Sequence, residues 1–180
     1  MSYSDSSNRR LAVCVFTLVL SLAFAKPILA KLETVRVTIT GSDLPMPLEI
    51  TDKSSLTGFN IWSGPGNFKI ENGVKIPIVH DGSIMWSQGT VPEPPKGLPQ
   101  HEISFYGGSP EERIIYVMIY EYDPTSKKGY IYLPGKGEKW YDVNVRSIYR
   151  GVEGHWFRAS EEFDHQIGAV IAAGRSAPAK

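Results

Sequence analysis

The chain has 180 residues, with 19 basic and 19 acidic side chains and a single cysteine. So even a balance, with no basic stripe, argues against a nucleic-acid partner, whose phosphates demand clustered Lys and Arg. It argues equally against an electrostatic membrane anchor.

Residues 1–10 are polar and end in Arg9-Arg10, and residues 11–25 form an apolar run without a charge. A basic start joined to an apolar stretch of about 7–15 residues is the pattern of a cleavable secretory signal. Cleavage is expected after Ala25, where Ala23 and Ala25 supply the small residues, with Ala30 as the alternative. A spanning helix needs about 20 apolar residues, and Lys26-Pro27 interrupts the run too early. The pair Arg9-Arg10 lacks the residues of a twin-arginine signal. Cys14 lies near the start of the apolar stretch rather than after it, where a lipidated cysteine would stand. With residues 1–25 removed, no cysteine remains, so thiol catalysis, Cys-ligated zinc and disulfides are ruled out for the mature chain. From Lys31 onward 16 basic and 18 acidic residues are left, because Arg9, Arg10, Lys26 and Asp5 fall earlier. About 150 residues can bury roughly 70% of their unfolded surface, so one domain over residues 31–175 and a frayed tail over 176–180 are expected. The implied location is secreted or periplasmic, with no stable membrane insertion after cleavage.

Val35, Val37 and Ile39 alternate with Arg36, Thr38 and Thr40, the period of a half-buried strand, and Gly41-Ser42-Asp43 turns the chain. Residues 48–51 form a second short strand. Asp52 caps a short helix over 53–60 with Leu56 and Phe59 as its buried edge. Residues 61–66 then make a tight turn on Gly64 and Gly66. A strand or two are expected between residues 68 and 86. Residues 91–99 hold four prolines and read as an extended surface loop of polyproline II character.

Three consecutive strands are expected over 114–122, 130–133 and 140–147, joined by turns at 123–129 and 134–137. Ser160 caps a final helix, with Glu161 and Glu162 in its first turn. Phe163, Ile167, Val170 and Ile171 form its apolar stripe, and it stops at Gly174. The fold class is α+β: an antiparallel sheet built on the 113–150 meander, with the C-terminal helix packed on its aliphatic face. A β-sandwich is the alternative.

The segments Val37-Thr38-Ile39-Thr40-Gly41-Ser42-Asp43-Leu44, Pro47-Leu48-Glu49-Ile50-Thr51-Asp52 and Trp62-Ser63-Gly64-Pro65-Gly66 resemble the opening of some uncharacterised exported bacterial proteins. The likeness covers about a fifth of the chain and implies no activity.

If Tyr122 pairs with Tyr130 and Tyr120 with Tyr132, then Tyr116, Tyr120, Tyr130 and Tyr132 gather on one sheet face. The third strand would set Asp142, Asn144 and Arg146 beside them. Aromatic platforms with an acid, an amide and a guanidinium suit a glycan or peptide ligand. The competing reading buries the tyrosines under the Pro-rich loop. No cofactor or metal is implied: Glu161 and His165 share a helix face, but two ligands without an HExxH pattern do not make a zinc site. Gly64 and Gly66 are too close together for a dinucleotide loop. Ser63, Ser83 or Ser109 could in principle pair with His80 or His101, although none lies in a G-x-S-x-G elbow. A non-catalytic extracytoplasmic binding module is therefore expected, with a secreted hydrolase acting on cell-envelope or extracellular substrate as the alternative.

Overall fold

Alternating apolar residues of the first strand carry the chain directly into the sheet. The computed structural model describes residues 33–108 and 111–176. The expected signal segment, Cys14, Ser109 and residues 177–180 lie outside them. Strand β1 (Thr34–Gly41) buries Val37 and Ile39 completely, and β2 (Leu48–Ile50) pairs antiparallel with it. Helix α1 is one turn (Lys53–Leu56), capped as expected: the Asp52 carboxylate accepts from the N–H groups of Ser54 and Ser55 at 3.2 and 2.9 Å. It ends well short of residue 60, yet Phe59 is still buried, 1% exposed. A separate hairpin follows, β3 (Phe68–Glu71) and β4 (Val74–Pro77). Then come a 3-10 turn (Trp86–Gln88), β5 (Thr90–Val91), β6 (Gln100–Gly107), β7 (Arg113–Asp123) and β8 (Lys128–Tyr132). Helix α2 (Tyr141–Ser147), β9 (Trp156–Arg158) and helix α3 (Glu161–Arg175) complete the chain.

Seven strands form one antiparallel sheet in the order β2-β1-β6-β7-β8-β9-β5, with β3-β4 as a second sheet. The α+β class is as expected, and no sandwich forms among the described residues. The Pro-rich segment 92–99 must carry the chain from β5 at one edge past β9, β8 and β7 to β6. Four inter-strand steps amount to about 19 Å. Eight residues in polyproline II conformation reach about 25 Å, so a stiff extended segment is what the crossing needs.

Three expectations are corrected. The third strand of the meander is β9, and residues 141–147 are helix α2 despite their β-branched content. Asn144 and Ile148, four apart, are both buried there, 0% and 4% exposed. Tertiary contact overrides local strand preference at this point. Second, the β7–β8 register differs by one residue: Tyr120 pairs with Ile131, Tyr122 with Gly129 and Ile119 with Tyr132. A one-residue slip moves a whole strand's side chains to the opposite face, so Tyr130 and Tyr132 lie on the other side from Tyr116 and Tyr120. Third, α3 covers the face that carries Tyr120. Its Phe163 meets the Tyr120 ring edge-on at 5.8 Å, and Ile167 and Ile171 join Val37, Ile39, Ile103, Phe105, Met118 and Ile131 in one core.

Ser160 caps α3 through the Phe163 N–H, as expected. Its last turn is tied to the β1–β2 turn by Arg175, which donates to Asp43 through Nε at 2.9 Å and also through Nη2. Among the described residues no helix is long and apolar enough to cross a membrane.

Candidate functional site

The six residues expected to form one ligand face are dispersed. Tyr116 and Tyr120 are core residues, 2% and 1% exposed. The Tyr116 hydroxyl accepts from Arg150 Nε at 2.9 Å, and burial pushes its pKa up against the pull of that cation. Tyr120 donates to Asp164 Oδ1 at 3.0 Å. Burial and the carboxylate both drive its pKa upward, while burial raises that of Asp164 against the Gly129 N–H and the Tyr120 hydroxyl. Asn144 is fully buried: its Oδ1 accepts from Val117 N at 2.8 Å and its Nδ2 donates to Val117 O at 2.7 Å. Arg146 is exposed on α2. Only Tyr130 and Tyr132 remain together on one face, and there Tyr130 is buried, 9% exposed, leaving Tyr132 as the one expected residue that reaches that surface.

That outer face nonetheless assembles the expected chemistry from other residues. Cross-strand partners share a face, and the registers align Thr40, Glu102, Ile119, Tyr132, Trp156 and Val91 in one row across six strands. None of the six is buried. Tyr132 and Trp156 stack at 5.1 Å between ring centroids, tilted by 39°. The next row runs Gln100, Glu121, Tyr130, Arg158. There the Gln100 amide donates to Glu121 at 3.2 Å, and the Arg158 guanidinium lies 4.2 Å above the Tyr130 ring. Arg158 Nη1 is shielded from solvent without a hydrogen-bond partner. Burial, with Glu93 of the Pro-rich segment as a like-charged neighbour, raises the Glu121 pKa despite the Gln100 bond. A third aromatic comes from the start of α2, where the Trp140 indole N–H donates to Glu102 Oε2 at 2.7 Å. The Tyr132 hydroxyl donates to Glu138 at 3.0 Å.

The opposite side holds a cleft of about 580 Å³ between α3 and the ends of β6 and β7, lined by Pro99, His101, Tyr122, Pro124, Gly168 and Arg175 among others. His101 is 3% exposed, and its Nε2 lies 2.9 Å from Asp43 Oδ1 in an alignment too poor for a hydrogen bond. Both ring nitrogens are shielded from solvent. Burial lowers the His101 pKa against the pull of Asp43. Burial would raise that of Asp43, but Arg175 and His101 outweigh it and leave it lowered. This Asp–His contact lies between the β1–β2 turn, β6 and α3, and both imidazole nitrogens are closed off from solvent.

His80, Ser63, Ser83 and Asp81 line a second cleft of about 400 Å³. The Asp81 carboxylate is engaged by Ser87, at 2.9 Å to its N–H and 2.6 Å to its Oγ, so His80 lacks that orienting acid. Among the described residues no group of three His, Cys, Asp or Glu side chains could hold a metal ion.

Sequence reasoning missed Trp140, Trp156, Arg158, Glu102 and Gln100. The signal for two of them is the short alternation Trp156, Phe157, Arg158, three residues with the middle one buried. No protein-family model, no curated protein and no solved structure matches this chain.

Proposed function

We propose that this chain is a non-catalytic extracytoplasmic binding module whose ligand, a glycan or an extended peptide, lies on the outer sheet face across Tyr132, Trp156 and Trp140. The signal-like opening of the sequence supports export. The observation that carries the ligand face is the unburied row Glu102, Ile119, Tyr132, Trp156, flanked by Gln100, Glu121 and Arg158. Aromatic rings supply flat apolar platforms, and carboxylates, an amide and a guanidinium supply directional donors and acceptors at their edges. Such a pairing suits sugar rings, whose faces are apolar and whose rims are hydroxylated.

The test is a binding screen of the full chain against purified glycans, peptidoglycan fragments and peptides, repeated with Trp156→Ala and Tyr132→Ala. Loss of a hot-spot aromatic should weaken binding by about tenfold or more. A ligand that binds both variants as tightly as the parent removes this face from consideration.

The hydrolase alternative rests on the His101–Asp43 contact. Against it stand the shielded ring nitrogens of His101 and the absence of any serine, threonine or cysteine from the lining of that cleft. Release of product from any ligand in the screen, abolished by His101→Gln, would reinstate it.

A further inference from the structure

The β3–β4 hairpin stands apart from the main sheet and carries three of the seven exposed large apolar side chains among the described residues: Phe68 is 43%, Ile70 68% and Val74 61% exposed. A lone two-stranded hairpin is marginal in water, and an unpaired strand edge is a template for another chain. We infer that β3 is a homodimerisation edge, which pairs antiparallel with β3 of a second copy about a twofold axis at Ile70.

Backbone geometry selects β3 over β4. The turn is Asn72-Gly73, both with positive φ, 51° and 77°, the two-residue type I′ connection. In such a hairpin the residues flanking the turn, Glu71 and Val74, exchange both backbone bonds, and alternation extends this to Lys69 and Ile76. The N–H and C=O groups of Phe68 and Ile70 therefore point to the free edge of β3. On β4 the outward positions are Lys75 and Pro77. Proline has no N–H to offer, and lysine at an edge discourages pairing. One edge is guarded and the other is open.

Side chains supply the register. An antiparallel match centred on Ile70 sets Ile70 against itself, Phe68 against Asn72, and Lys69 of each copy against Glu71 of the other. The charge pair occurs twice by symmetry, as an isologous interface requires. Within one chain Lys69 and Glu71 already lie 3.0 Å apart on the same face, so pairing would merge two ion pairs into a four-charge cluster. Phe68 and Ile70 of the two copies would meet on the other face, bordered by Lys75, whose ammonium lies 4.5 Å over the Phe68 ring. The result is a four-stranded sheet, β4-β3-β3-β4, in place of two marginal hairpins.

Sedimentation velocity of the full chain over a concentration series tests this, with Glu71→Lys, the double exchange Lys69→Glu with Glu71→Lys, and Ile70→Pro. The expected result is a concentration-dependent dimer. Glu71→Lys, which opposes like charges twice, should weaken it by about tenfold or more, and the double exchange should restore it. Ile70→Pro removes an outward N–H and the Ile70 side chain from the seam while breaking no backbone bond within the hairpin, and should abolish dimerisation, leaving far-UV circular dichroism unchanged. A chain that stays monomeric at about millimolar concentration overturns the inference, as does a dimer indifferent to both Glu71→Lys and Ile70→Pro. Failure of the double exchange to restore a dimer lost in Glu71→Lys overturns the register.

Discussion

Replacing Asn144 by alanine tests the architecture most directly, because this side chain does the work of a missing strand. β8 pairs with β7 only from Ile119 to Asp123, so the edge of β7 that holds Val117 would be left bare. The Asn144 amide presents one acceptor and one donor to the Val117 N–H and C=O, at 2.8 and 2.7 Å, as an adjacent peptide would. Both residues are fully buried. Asn144→Ala leaves two buried backbone groups unsatisfied, each costing about 1–3 kcal/mol, and the total should fall near 3–5 kcal/mol. For a domain of this size each kcal/mol lowers Tm by about 2–4 °C, so scanning calorimetry should show a drop of roughly 10–15 °C. Arg146→Ala, two residues away and exposed, should stay within about 0.5 kcal/mol of the parent. Asn144→Asp adds a pH test. As a carboxylate it turns a lone pair toward the Val117 carbonyl, whereas the protonated acid can donate there. Its folded-state pKa should be raised, so this variant should gain stability as pH falls through that value. A Tm within about 2 °C of the parent for Asn144→Ala would refute the edge-capping role.

Arg150 donates to the carbonyls of Ile61, Ser63 and Pro65 at 2.6, 2.7 and 3.0 Å, and it stacks 4.7 Å from the Trp86 ring. Arg150→Met should therefore cost at least about 3 kcal/mol and shift Trp86 fluorescence, as read in a urea titration. A β-carbon on Gly129 would meet Asp164 Oδ1 at 1.8 Å, whereas one on Gly168 in α3 meets nothing within 4 Å. Calorimetry should thus find Gly129→Ala destabilising by about 2 kcal/mol or more and Gly168→Ala stabilising by about 0.5–1 kcal/mol. Burial lowers the His101 pKa below its ordinary 6.5, so the unfolded chain takes up the proton more readily. Stability from this group is complete above about pH 6.5 and is lost as pH falls through the folded-state value. The urea midpoint should decline across that window in the parent and lose this step in His101→Gln.

Much of the fold was legible because it rests on local periodicity and capping. The alternation of Val35, Val37 and Ile39, the Asp52 and Ser160 caps and the apolar stripe of α3 each belong to a single element, and each forms as read. Legibility failed wherever a residue's neighbour is remote in sequence. Residues 141–147 alternate like a strand, and only the bare Val117 backbone, 27 residues earlier, makes a helix with Asn144 inward the better solution. The tyrosine face failed for a smaller reason. Residues 123–129 permit more than one hairpin register, and the structure pairs Asp123 with Lys128, a one-residue difference that carries Tyr130 and Tyr132 to the other side of the sheet. Tyr120 stays on the face covered by α3, where its hydroxyl donates to Asp164.

The binding surface and the Asn144 cap share one origin, the departure of the chain from the sheet after Tyr132. β8 stops there, α2 takes over the edge of β7 at Val117, and the row through Ile119 is the first left open. Trp140, at the residue preceding α2, reaches back to Glu102 at that boundary. Two kinds of variant should therefore separate. Trp156→Ala removes a partly buried ring at the surface and should reduce affinity with little loss of stability. Asn144→Ala touches nothing on the outer row, yet by loosening α2 it should displace Trp140 and reduce affinity and stability together. If Asn144→Ala, at a temperature where it remains folded, binds the ligand as tightly as the parent, then Trp140 is not part of the platform. The ligand face would then contract to Tyr132, Trp156 and Arg158.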